Sequence, residues 1–94
     1  MPLRTAYIEE ENRLDLSFVG NLDLTLSHAV CDICARLPAS LRSCVIDLSD
    51  VDRVFDSGIA LLHMLHCRLS ELGATVVLRG DKTEVGKRLP GYRH

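Results

Sequence analysis

The chain has 94 residues, 47% of them apolar and 26% charged, with a formal net charge of −2. That length suits a single domain over 1–94. The near-neutral charge and the lack of tryptophan exclude a nucleic-acid reader, which needs a basic groove or stacking rings. No apolar run approaches the ~18 residues of a membrane span, and MPLRTAYIEEENR at the N-terminus lacks the apolar stretch of a secretory signal. Direct membrane insertion is therefore not expected. Four cysteines without such a signal fit free thiols in a cytoplasmic protein.

Thr5 to Glu10 is the first candidate strand, with Glu11-Asn12 as a turn. Leu14, Leu16 and Phe18 alternate with Asp15, Ser17 and Val19, the period of a half-buried strand. Gly20-Asn21 is read as its end. Leu26, Val30, Ile33 and Leu37 then share a helical stripe, with Asp23 or Thr25 as N-cap and Pro38 as terminator. Cys44 to Leu48 is a short apolar run, as in a strand covered on both faces. Ser57 to Leu72 is the clearest helix: Ile59, Leu62, Leu65, Leu69 and Leu72 share a face, and Gly73 follows as C-cap. Thr75 to Leu78 is a β-branched strand, Gly80-Asp81 a turn, and Lys82 to Leu89 a short last helix stopped by Pro90. The order β-β-α-β-α-β-α predicts an α/β fold with a mixed sheet of about four strands and two or three helices.

The chemistry-bearing residues concentrate in VIDLSDVDRVFDSGIALLHML, Val45 to Leu65. Asp56, Ser57 and Gly58 stand where the clearest helix-forming stretch begins. Asp and Ser are favoured N-caps. A hydroxyl there is also well placed for phosphorylation, because free N–H groups and the helix dipole favour the added phosphate. Asp47, Asp50, Asp52 and Asp56 raise a magnesium-assisted phospho-aspartate site, but no second acidic pair ends an earlier strand, and Asp50 and Asp52 fall in a charge-rich loop where solvated carboxylates are the simpler reading. No catalytic constellation and no Gly-rich phosphate loop is evident, so an enzyme is not expected, and no cofactor is implied.

Cys31-Asp32-Ile33-Cys34 has C-x-x-C spacing, yet it falls in mid-helix rather than at the N-terminus that a redox pair needs. His63, His66 and Cys67 include an i, i+4 pair able to share a metal, but further ligands are not evident, and no metal site is assigned. Opposite the core leucines, Ala60, His63, Met64, Cys67 and Glu71 form a soft face suited to a protein contact.

Four segments together resemble the STAS family, the bacterial anti-sigma-factor antagonists and their relatives. Gly20-Asn21-Leu22-Asp23-Leu24 is similar to the Gly-Glu-Leu-Asp-hydrophobic segment of that family. Val45-Ile46-Asp47-Leu48 is similar to its hydrophobic-hydrophobic-Asp-Leu strand. Asp56-Ser57-Gly58-Ile59-Ala60-Leu61-Leu62 is similar to its Asp-Ser-Ser/Ala-Gly-Leu loop and helix. Leu72-Gly73-Ala74 before Val76-Val77-Leu78 is similar to its helix-Gly-strand step. The resemblance covers roughly Leu14 to Leu89.

The resemblance implies a regulatory domain that signals by protein–protein contact and controls transcription. Its partner would be an anti-sigma factor of the serine-kinase type; alternatively, it would serve as the cytoplasmic STAS subunit of an ABC lipid transporter and contact the ATPase. In the family loop the first Ser accepts phosphate. Aligned without a gap from Asp47-Leu48, Gly58 meets the family Gly and Asp56 takes the phosphoacceptor position, with Phe55 in place of the family Asp. A one-residue deletion instead matches Asp56-Ser57 to Asp-Ser. The ungapped alignment implies a fixed negative charge where the family switches its own. The resemblance also places Asp56, Ser57 and Gly58, with Ala60, His63, Met64 and Cys67 beyond them, on the partner surface.

Overall fold

The computed structural model describes residues 2–89. Four strands, β1 (Leu3–Ile8), β2 (Arg13–Leu22), β3 (Ser43–Val54) and β4 (Thr75–Arg79), form one sheet in the order β1-β2-β3-β4. β1 and β2 are antiparallel, while β2, β3 and β4 run parallel. Two helices, α1 (Ser27–Arg36) and α2 (Asp56–Glu71), make the parallel crossovers. Short 3₁₀ turns occupy Glu9–Glu11, Leu24–Leu26 and Val85–Arg88.

The expected α/β architecture is present, and local chemistry accounts for most of its corners. Asn12 takes the left-handed conformation (φ 48) that closes the β1–β2 connection, a state Asn tolerates well. The Asp23 side chain accepts from the Thr25 N–H at 2.9 Å and caps the turn into α1. Gly73, at φ 77, ends α2. Its N–H donates to the Ser70 carbonyl, and the Ala74 N–H donates to that of Leu69, the paired bonds of a Schellman motif.

Both helices cover one sheet face. Leu16 and Phe18 of β2, Cys44, Ile46 and Leu48 of β3, Val30 of α1 and Leu62, Leu65 and Leu69 of α2 share one buried cluster. Each fully buried leucine stabilises this layer by roughly 1.5–3 kcal/mol. The helical stripe expected for α2 is confirmed, with Ile59 and Leu72 at its half-buried margin.

Three expectations change. β2 does not end at Gly20-Asn21 but continues to Leu22, with Gly20 at φ 87. The register runs Ser17↔Asp47, Val19↔Asp50, Gly20↔Val51 and Leu22↔Val54, so β3 carries two extra residues and bends with its partner. β3 also differs on its two faces: Cys44, Ile46 and Leu48 join the core cluster, whereas Val45 on the other face is buried outside that cluster and Asp47 is half-buried. The segment Lys82 to Leu89 forms a 3₁₀ turn rather than a last helix, because the Asp81 carboxylate captures the Val85 and Gly86 N–H groups at 2.7 and 2.8 Å. Pro90 lies outside the described residues.

Candidate partner-binding site at the start of the second helix

The end of β2 clamps the start of α2. The Phe55 N–H donates to the Leu22 carbonyl at 2.9 Å. Gly58, buried in the first turn, lies against the same peptide: an added Cβ would sit 2.9 Å from Leu22 Cγ and closer still to the Leu22 carbonyl. Gly58 is thus required by close approach of helix to strand. The N-cap position is Phe55, and no side chain caps this helix. The capping reading of Asp56 and Ser57 is therefore corrected: Asp56 is already the first helical residue.

The Asp56 carboxylate points outward, 99% exposed, and accepts from Arg88 Nη2 at 2.6 Å. Arg88 reaches it from the Asp81-capped turn, which is anchored by buried Val85 and Leu89. The position also suits a negative charge because of the helix dipole. Ser57 is half-buried beside it.

Farther along the outer face of α2, Ala60, Met64 and Cys67 are exposed and His63 is half-buried. The structure thus brings these residues onto one surface with Asp56. Two more exposed apolar residues stand near this end, Leu24 (66%) and Phe55 (44%). The sequence reasoning missed both; a large apolar side chain on either side of the β2–α2 clamp was the available signal.

The other aspartates do not assemble a cation site. Asp47 Oδ1 accepts from the Ser49 N–H at 2.9 Å and the Ser49 hydroxyl at 2.6 Å. These bonds hold the first irregularity of β3 and keep the Asp47 carboxyl below its ordinary value. Asp50 and Asp52 are exposed within β3 rather than in a loop. Among the described residues, no group of three or more His, Cys, Asp or Glu side chains is placed to hold a metal.

The cysteines are all free. Cys31 and Cys34 lie well inside α1, and burial raises rather than lowers the Cys34 thiol, the opposite of redox activation. Burial pushes the Cys44 thiol up to about 12.

No protein-family model and no curated protein matches the sequence. Solved structures do. An antisigma-factor antagonist STAS domain from Rhodobacter sphaeroides superposes with a TM-score of 0.64 at 20% identity, over 93% of this chain and 92% of that one. The chain has a STAS-like fold. The same STAS-like architecture occurs in the anti-sigma factor antagonist SpoIIAA in its unphosphorylated form (TM-score 0.61, 16% identity, 81% of this chain and 70% of that one). It also occurs within Mglu, at a TM-score of 0.72 and 26% identity over 84% of this chain. The STAS-like chain spans only 19% of the length of that Mglu structure. Among the described residues, no helix is long and apolar enough to cross a membrane.

Proposed function

We propose that residues 1–94 form a single, non-enzymatic regulatory domain in the cytoplasm that works by protein–protein contact, in the manner of an anti-sigma-factor antagonist. Its partner is an anti-sigma factor of the serine-kinase type. The observation that carries this reading is the exposed start of α2. Leu22 and Gly58 fix its position, Asp56 projects from it, and Phe55, Ala60, Met64 and Cys67 supply accessible surface around it. Asp56 occupies the switch position and provides a carboxylate that a serine kinase can neither add nor remove. Arg88 offsets part of that charge.

The test is affinity capture from native lysate with wild-type and Met64→Asp baits. Met64 is 38% exposed, so the variant should keep wild-type stability within ~0.5 kcal/mol. The wild-type bait should retain a small kinase-type anti-sigma factor that the variant loses. Equal retention by both baits would contradict the assigned surface. Recovery of an ABC transporter ATPase would replace the sigma-pathway reading with the transporter one.

A further inference from the structure

Strand β1 is an open edge of the sheet. It pairs with β2 alone, in an antiparallel register that sets Leu3 opposite Phe18 and Ala6 opposite Asp15. One bond fixes which of its backbone groups face β2: the Val19 N–H donates to the Pro2 carbonyl at 2.8 Å. Bonded and unbonded pairs alternate along an antiparallel ladder, so Arg4, Ala6 and Ile8 turn their N–H and C=O groups to β2. Leu3, Thr5 and Tyr7 turn theirs outward. Among the described residues, no strand pairs with that side.

Thr5 and Tyr7 are also the outer wall of a cavity. It has a volume of about 430 Å³ and lies between the sheet and α1, with Leu14 on its sheet side and Ile33, Leu37 and Pro38 opposite. Tyr7 is 40% exposed, and its hydroxyl donates to Asn12 Oδ1 at 3.2 Å, which holds the ring in place. The charged groups of the lining, Asp32 and Arg36, pair with each other at 3.2 Å. The cavity therefore takes an apolar side chain better than a charged one.

We propose that β1 receives an extended segment of a protein partner as an added strand, antiparallel to β1, with an apolar side chain seated against Tyr7, Ile33 and Leu37. Edge-strand addition draws affinity from main-chain bonds and specificity from pockets for alternate side chains. Here one geometry supplies both. A residue opposite Thr5 or Tyr7 bonds to that residue's N–H and C=O, and its side chain stands on the cavity side. Charge sets the sequence. Glu9 and Glu10 follow the strand and have no ion-pair partner among the described residues, whereas Glu11 is paired with Arg13. Arg4, near the start of the strand, has none either. An antiparallel segment with basic residues before its apolar positions and an acid after them meets Glu9 and Glu10 first and Arg4 last. None of these residues belongs to the α2 surface, so the two contacts are independent.

Capped peptides Lys-Lys-Thr-X-Thr-X-Glu, with X valine, leucine or phenylalanine, are titrated into the full chain up to millimolar concentration, and amide exchange is followed by nuclear magnetic resonance. Exchange at Thr5 and Tyr7 should slow on binding, while that at Arg4 and Ala6, already bonded to β2, should not change. N-methylation of both X residues should abolish binding. N-methylation of the two threonines, whose N–H groups face away from β1, should leave it intact. The reversed-charge peptides Glu-Glu-Thr-X-Thr-X-Lys should bind about three- to tenfold more weakly. Thr5→Pro removes one outward N–H at an edge, where proline is tolerated; checked for native circular dichroism, it should lose the peptide, and Met64→Asp should retain it. Unchanged exchange at Thr5 and Tyr7 at millimolar peptide would overturn the proposal, as would binding that survives N-methylation of the X residues. A sedimenting mass twice that of one chain, halved by Thr5→Pro, would give the edge to a second copy and overturn it equally.

Discussion

Replacing Gly58 with alanine sets two opposite effects against each other. In an unhindered helix, Ala is better than Gly by about 1 kcal/mol. Here the new methyl would run into the Leu22 peptide, and a backbone group cannot rotate aside as a side chain can. α2 must retreat from β2 by about an ångström to restore normal contact, an overpacking cost of roughly 1–3 kcal/mol, here at its upper end. That retreat also pulls on the Phe55–Leu22 hydrogen bond, worth about 1 kcal/mol. The balance is a loss of about 2–3 kcal/mol, a large part of the ~5–15 kcal/mol that holds a typical domain. For a domain of this size it corresponds to a fall of about 10–20 °C in Tm. Urea and thermal unfolding of the purified variant measure it directly. A variant as stable as the wild type, or more stable, would show that helix propensity outweighs the contact and that α2 does not press on β2 as described.

Other perturbations test other parts of the molecule. Because the folded Asp47 carboxyl titrates below its ordinary value, its contribution is present above the unfolded pKa of about 4 and is lost as pH falls through the lower folded value. Asp47→Asn should therefore flatten the loss of stability below about pH 4, seen as a shallower fall in urea midpoint; an acid limb identical to wild type would contradict the Ser49 assignment. In the native protein, a thiol reagent at mildly alkaline pH should modify exposed Cys31 and Cys67 first and spare Cys44, whose thiol is pushed up to about 12 by burial, until denaturant is added. Rapid native labelling of Cys44 would show that the core is looser than drawn. Asp56→Ser should bind the kinase-type partner more tightly, and Arg88→Gln, which leaves the carboxylate unpaired, more weakly. Equal affinities for both variants and wild type at low and high salt would reduce Asp56 to a surface residue.

The strongest sequence signals came from side chains that repeat or that act on their own backbone. Leu62, Leu65 and Leu69 repeat with the helical period, so the buried face of α2 was legible. Asp23, Asn12 and Gly73 act on their own backbone, so turns and caps were legible too. β3 was recognised only at its apolar start. Its two inserted residues interrupt the alternation beyond Leu48, and an irregular strand has no period to detect. The start of α2 was located, but its N-cap was misplaced. Asp56-Ser57 looks like a cap in any sequence, whereas the geometry that gives the cap position to Phe55 depends on Leu22, more than thirty residues earlier. The Asp56–Arg88 pair joins two exposed side chains from distant segments, and no spacing rule announces such a pair.

The order β1-β2-β3-β4 has a consequence for how the chain is made. Each strand lies beside its immediate successor, so no later strand must be threaded between two that have already paired. A chain emerging from the ribosome N-terminus first can add the strands in the order of synthesis. The hairpin of β1 and β2 is local, and β3 then extends it across the α1 crossover. Until residues 75–79 emerge, the free edge of β3 exposes unpaired N–H and C=O groups beside the apolar Cys44–Leu48 run, a surface open to pairing with another nascent chain. β4 closes that edge, and Val85 and Leu89 complete the core behind it. The segment from Thr75 to Leu89 therefore ends the interval in which association with the wrong chain is easiest, and ribosomes stalled before Thr75 should release an aggregation-prone intermediate.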